Sequence, residues 1–258
     1  LTDGLQGRRV FDLEQPRYAG APIHPGHVPP GYSYLLHRRH EAQNAAPDGR
    51  TGSAGTLITS EHAGTHIDAL SHQAVDLKMC GGVDAQRSAT AFGYTELGVE
   101  TIPPIVARGW LIDLGVLEPD RWVGADEVRR AAAGQGVAPA AGDVVLVRTA
   151  NGAHWGDPER YLRGAGMKGE VSRWLADAGV VAVGADNMAW DHANSRDPDT
   201  GVLLPGHSIL LVRSGVYIME NVFLEELAAA GVHEFTFVCT PLKIRGATGS
   251  PVRPIAIA

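Results

Sequence analysis

Apolar residues recur along this chain as short runs closed by glycine or proline, not as long periodic stripes. RRVFDL (8–13), GTLITSEH (55–62), ARGWLIDL (107–114), DVVLVRT (143–149), GVVAVGAD (179–186) and EFTFVCTPL (234–242) have the length and composition of buried strands. Three segments carry helical spacing instead. ADEVRRAAA (125–133) runs up to Gly134, a helix stop. GEVSRWLADAG (169–179) sets Val171, Trp174, Leu175 and Ala178 on one face, and VFLEELAAAG (222–231) does the same with Leu224, Leu227 and Ala228. Strands outnumber helices, and the two alternate in the second half. The pattern predicts an α/β or α+β fold, with residues 1–258 in one domain.

Residues 15 to 55 break this rhythm. The segment is rich in proline, holds four histidines and three tyrosines, and has no sustained period. A stretch of that kind inside a compact domain is expected as an ordered loop or lid beside a site or a subunit contact.

Composition narrows the function classes. Apolar residues make up 44% and charged residues 20%, as in ordinary globular proteins, and the formal charge is −7. With no basic run longer than Arg38, Arg39 and His40, a nucleic-acid surface is not expected. No apolar run approaches the length of a membrane span. The segment LTDGLQGRRVFDL lacks a charged-then-apolar signal pattern, so cytoplasm is the expected compartment. The two cysteines, Cys80 and Cys239, form no CxxC pair, and Cys239 lies in an apolar run where a small buried thiol belongs.

The chemistry concentrates in HAGTHIDALSH, residues 62 to 72. As a helix, it would put His62 and His66 on one face with Asp68 pointing away. As a strand continuing GTLITSE, it places His62, Gly64, His66 and Asp68 on the same face, with Gly64 leaving an opening. Two imidazoles and a carboxylate form an N,N,O set suited to Zn²⁺, Mn²⁺ or Fe²⁺, and three protein ligands leave room for water and substrate. A lone histidine is most often a satisfied surface or core residue, but three with an interleaved aspartate are not so easily explained. The metalloprotease pattern HExxH is absent, because Ala63 stands where its glutamate would be. His72 is the nearest candidate base, provided that the chain turns back between Ala69 and Ser71.

At these residues the chain resembles the cyclase family of metal-dependent hydrolases, which includes bacterial kynurenine formamidase and isatin hydrolase. The family signature HxGTHxDxxxH is matched at every fixed position by His62, Gly64, Thr65, His66, Asp68 and His72. Formamidases of the family carry proline where this chain has Leu70, a departure that leans away from kynurenine formamidase itself. LPGHSILLVRSGVYIMENVFLEEL looks like the family's second motif, with His207, Glu220 and Asn221, and TPLKIRGATGSPVRP like its closing strand and loop.

The resemblance implies a β-rich α/β fold of the swivelling β/β/α type, assembled as a homodimer or higher homo-oligomer. It implies hydrolysis of an amide, lactam or N-acyl bond of a small substrate, with zinc or manganese as one or two ions. Carried over by position, His62, His66 and Asp68 bind a first metal. His207 and Glu220 bind a second, with Asp68 bridging. His72 is acid/base or site-lining, and its role and that of His207 are interchangeable on sequence grounds. Trp190 and His24 are candidate substrate contacts, each set against a plainer reading as core tryptophan or solvated loop histidine. A lactone or ester hydrolase using the same site, and a metal- or small-molecule-binding protein without catalysis, are the alternative functions.

Overall fold

The computed structural model describes residues 7–27 and 31–258. The residues before Gly7, on which the N-terminal signal reading partly rests, and residues 28–30 of the irregular segment lie outside that range. Nine strands join in one sheet. In chain order they are β1 (Val10–Asp12), β2 (His66–Asp68), β3 (Ile105–Asp113), β4 (Val144–Arg148), β5 (Ala182–Ala185), β6 (Tyr217–Glu220), β7 (Glu234–Cys239), β8 (Gly249–Pro251) and β9 (Ile255–Ile257). Across the sheet they run β1-β9-β7-β3-β4-β5-β6-β2-β8. The middle four, β3 to β6, are parallel, and antiparallel strands extend the sheet on both sides.

The parallel strands account for the unbroken apolar runs. Val144 to Val147 and Ala182, Val183 and Ala185 are fully buried because both faces of the sheet are covered. Alternate residues enter different cores. Val145, Val147, Val183 and Ile218 pack under helices α1 (Ala125–Gly134) and α2 (Gly169–Asp177), through Val128, Val171 and Leu175. Leu111, Val144, Leu146 and Met219 face the opposite cluster, with Phe11, Ile67 and Phe237. The fold is α/β, as expected.

Two local readings change. The 55–62 run forms the strand Ala54–Thr59, but it pairs with Tyr32–Arg38 in a separate antiparallel hairpin, so the irregular segment contributes a strand of its own. The 222–231 helix shrinks to α3 (Glu225–Ala229), because Asn221 adopts φ 57° and Val222 makes a β-bridge to Glu14. LPGHSILLVRSG contains a helical turn at Pro205–His207 that widens into a π-helix over Ser208–Ser214. Short apolar runs such as ILLV carry no period that separates strand from helix.

This topology sets one place apart. β2 is inserted antiparallel between β6 and β8, at the carboxyl ends of the parallel strands β5 and β6, where open α/β sheets present their ligand crevices.

Candidate metal centre

The register of β2 assembles the first contacts. His66 lies directly opposite Glu220 on β6, and Asp68 lies opposite Gly249 on β8. His66 Nε2 is 3.3 Å from Glu220 Oε2 and 3.6 Å from Asp68 Oδ1. The strand reading thus holds for His66 and Asp68 but fails for His62. Residues 61–65 form a turn in which Gly64 has φ 64°. A side chain at 64 would meet both a left-handed backbone and Arg17, whose Nε lies 2.9 Å from the position of a Cβ. Arg17 braces the turn by donating to the carbonyls of Ala63 and Thr65.

The turn swings His62 back over the strand. Thr248 Oγ1 donates to Glu61, and so accepts from His62 Nε2 at 2.8 Å. This leaves the Nδ1 lone pair of His62 2.9 Å from Asp68 Oδ1, two electron-rich atoms that need a proton or a metal ion between them. Gly249 has no side chain for a reason: a Cβ there would lie 2.7 Å from His62 Cε1.

His207 reaches the same space from the other side. Asp191 Oδ1 accepts from Gly206 N at 2.6 Å, while Oδ2 accepts from His207 N at 3.2 Å and from His207 Nδ1 at 2.8 Å. The carboxylate therefore caps the short helical turn and fixes the ring, whose Nε2 stands 3.4 Å from Glu220 Oε1 and 3.8 Å from Asp68 Oδ2. The chain turns back at Ala69, where His72 N bonds to Ala69 O, and the His72 ring comes to rest 4.2 Å from that of His62 and 5.8 Å from that of His207.

His62, His66, Asp68, His207 and Glu220 are each no more than 5% exposed. Burial pushes His62 and His72 down to about 3, so both are neutral near pH 7. Burial also pushes Asp68 up. Glu220 goes the other way: against the cost of burial, the neighbouring His207 and His66 hold it well below the usual carboxylate range, and they are raised in turn. The environment favours positive charge facing Asp68 and Glu220.

Among the described residues, seven buried side-chain polar atoms lack a hydrogen-bond partner, and three of them are His66 Nε2, Asp68 Oδ2 and Glu220 Oε1. Such atoms are costly unless a ligand satisfies them. Ligand atoms of His62, His66 and Asp68 lie within 4.8 Å of one another, as do those of Asp68, His72 and His207. Imidazole and carboxylate donors without a thiolate fit Zn²⁺, Mn²⁺ or Fe²⁺.

The other sequence candidates divide. His24 lines a cleft of about 180 Å³ that opens onto Glu220, His207 and His72, together with His27, which stacks 4.7 Å from His62. Trp190 does not reach the cleft. It is fully buried, donates from Nε1 to Ser172 Oγ at 2.9 Å, and packs so closely under Gly206 that a Cβ at 206 would lie 2.6 Å from its ring. Its place is the floor beneath His207. Leu70 packs against the helix-side core. Cys239 is buried and its thiol is pushed up to about 12 by burial, which leaves it inert. Asp191, Thr248 and Glu61 escaped sequence reasoning. Only Glu61 had a local signal, its position beside His62.

A parallel-centred α/β sheet with a buried histidine–carboxylate cluster at its strand ends defines a metal-site protein of the cyclase type. The chain belongs to the putative cyclase family, whose sequence profile matches residues 11–192. It is 27% identical over 251 residues to a kynurenine formamidase of Bordetella petrii, covering 96% of this chain and 97% of that one. A solved structure of a novel cyclase superposes with a TM-score of 0.86 at 28% identity, covering 98% of this chain and 87% of the other. Isatin hydrolase A from Ralstonia solanacearum shares the fold, with a TM-score of 0.74 at 21% identity over 100% of this chain and 94% of that one.

Proposed function

We propose that the protein is a metal-dependent hydrolase that cleaves the C–N bond of a small amide, lactam or N-acyl compound. The observation that carries this reading is the set of unpartnered atoms His66 Nε2, Asp68 Oδ2 and Glu220 Oε1, facing one another inside a ring of histidines. The formamidase and isatin hydrolase relatives support the bond class. Zinc or manganese, the ions that the family resemblance implies, both suit these donors, and Asp68 stands between two candidate positions. The first is formed with His62 and His66, and we place the second with His207 and Glu220, whose Nε2 and Oε1 lie 3.4 Å apart, beside His72.

The bound ion supplies Lewis acidity, polarising a carbonyl and making water acidic enough to act as a nucleophile near neutral pH. His72, whose ring lies 4.2 Å from that of His62 and 5.8 Å from that of His207, accepts the proton from the attacking water. It returns that proton to the nitrogen as the C–N bond breaks, leaving a carboxylic acid and an amine. His24 and His27 narrow the cleft mouth, and its volume of about 180 Å³, below the ~300 Å³ of typical ligand pockets, limits substrates to small molecules.

Hydrolysis of a panel of N-formyl aryl amines, lactams, lactones and esters, measured before and after chelation, tests the reading. Activity on the C–N compounds that disappears with the metal and returns with zinc or manganese is expected. Faster turnover of lactones or esters would move the assignment to C–O bonds, and metal binding without turnover of any compound would leave a binding protein. His72→Ala is expected to keep its metal while losing about 10²–10⁴-fold in rate. Near-wild-type activity would assign the base elsewhere.

We also infer a homodimer or higher homo-oligomer. The hairpin of Tyr32–Arg38 and Ala54–Thr59 exposes more than half of Tyr34, Leu35, Leu57 and Ile58, and a two-stranded hairpin in water is marginal without cover. Sedimentation velocity is expected to give at least a dimer, and a monomer at micromolar concentration would refute this. No helix among the described residues is long and apolar enough to cross a membrane. The free thiols Cys80 and Cys239 fit a reducing compartment, and we place the protein in the cytoplasm.

A further inference from the structure

Beneath His66 lies a second buried layer, whose polar side chains point at backbone and not at the cleft. Asn221 follows Glu220 at the end of β6, with φ 57° and no exposure. Its Nδ2 donates to Gly64 O at 2.9 Å. That same carbonyl accepts from His66 Nδ1 at 2.8 Å. Asn221 O accepts from Thr65 Oγ1 at 2.6 Å, and Thr65 Oγ1 in turn accepts from Gln15 N at 2.8 Å. Tyr161, also fully buried, donates from its hydroxyl to Asn221 Oδ1 at 3.0 Å.

Each link has one satisfactory arrangement. Burial keeps Tyr161 protonated, so its hydroxyl remains a donor for Asn221 Oδ1. With that oxygen taken, the amide presents Nδ2 to Gly64 O. A flipped amide would set two carbonyl oxygens against each other. Gly64 O then receives two donors on its two lone pairs, and the second is His66 Nδ1–H. A hydrogen on Nδ1 leaves Nε2 to carry the lone pair, on the side of the ring that faces Asp68 and Glu220.

We propose that Asn221 and Tyr161 are positioning residues for metal binding by His66: Tyr161 orients the Asn221 amide, Asn221 holds the Gly64 carbonyl, and that carbonyl selects the His66 tautomer whose Nε2 faces the ion. The proposal rests on the metal reading above. It also gives the Glu-Asn pair two separate tasks, the glutamate acting in the site and the asparagine under it.

The test is Zn²⁺ affinity, measured by competition with a chromophoric chelator, in a cycle of Asn221→Gly, Tyr161→Phe and the double variant. Glycine tolerates the left-handed backbone at 221, so Asn221→Gly deletes the amide while keeping the main-chain bond to Thr65. It is expected to weaken Zn²⁺ binding about 10- to 100-fold, the scale of losing an outer partner of a ligating histidine. Tyr161→Phe is expected to weaken it less, and to add nothing in the Asn221→Gly background. Val171→Ala, in the α2 core, serves as a control that lowers thermal stability without touching the chain of contacts.

Unchanged affinity in both single variants, or losses no larger than in Val171→Ala, would overturn the relay while leaving the metal reading in place. Fully additive losses would show that Tyr161 does not act through Asn221, which also overturns it. Failure of the wild-type protein to bind Zn²⁺ would instead overturn the metal reading, and the relay with it.

Discussion

Asp68→Asn is expected to leave the metal-free protein at least as stable as the wild type while removing both metal and activity. Asp68 is completely buried, and its Oδ2 has no hydrogen-bond partner. Burial raises the pKa of the carboxylate above its unfolded value. A raised carboxylate means that the folded state holds the proton more tightly than the unfolded state does. The native state is therefore favoured below the unfolded pKa, and this advantage is lost as pH rises through the folded pKa. Above the folded pKa the ionised Asp68 is a net cost to folding, one that the neutral, isosteric asparagine does not incur. The thermal midpoint of the variant under chelator should equal or exceed that of the wild type, by more at pH 7 than at pH 4.

Function should move the other way. Asp68 Oδ1 is shared between His62 and His66, and Oδ2 faces His207, so no other side chain touches as much of the cluster. Metal content is expected to fall towards zero, and hydrolysis by at least about 10²–10³-fold. Elemental mass spectrometry, calorimetry and a hydrolysis assay on the same preparations check this. A variant that keeps its full metal complement would remove Asp68 from the ligand set.

His207→Ala addresses how many ions the site holds. The two oxygens of Asp68 lie towards different histidines, Oδ1 towards His62 and His66 and Oδ2 towards His207, so that under the proposed function the one carboxylate would serve two ions. Wild-type protein purified without an affinity metal column is expected to carry two equivalents per chain, and the variant one, with a rate loss of at least about 10²-fold. The helical turn should survive, since Asp191 keeps its main-chain donors at residues 206 and 207. One equivalent in both proteins would mean a single ion and would recast His207 as a proton-transfer residue, with Glu220 serving to hold it.

Much of this was legible because it depends on local pattern. The runs around Val144–Val147 and Ala182–Ala185 announced buried strands, and α1 and α2 carried helical spacing that the structure keeps. His66 and Asp68 share a face because strand periodicity puts residues two apart on one side. His62 reaches the same cluster by another route, a left-handed turn at Gly64 that alternation does not encode. Asp191 and Thr248 were out of reach for a different reason. Each acquires its role from a partner brought in by the sheet, and an isolated Asp or Thr in sequence gives no hint of a histidine in space. Trp190 carried two readings because a tryptophan beside histidines looks the same in sequence whether it lies on the wall of a cleft or under its floor, and its complete burial fits the core reading.

The position of β2 between β6 and β8 also bears on how the enzyme matures. The first candidate ligands lie in β2 and the turn before it, while the strands that flank them, and the threonine that holds His62, follow only after a long stretch of intervening chain. Pairing across so long a separation forms late and slowly. On the ribosome, His62, His66 and Asp68 emerge as loose side chains with little hold on a cation, and the cage closes only once residues 217–251 have joined the sheet. Under the proposed function, metal loading is therefore expected to follow the pairing of β2 with β6 and β8, not to precede it.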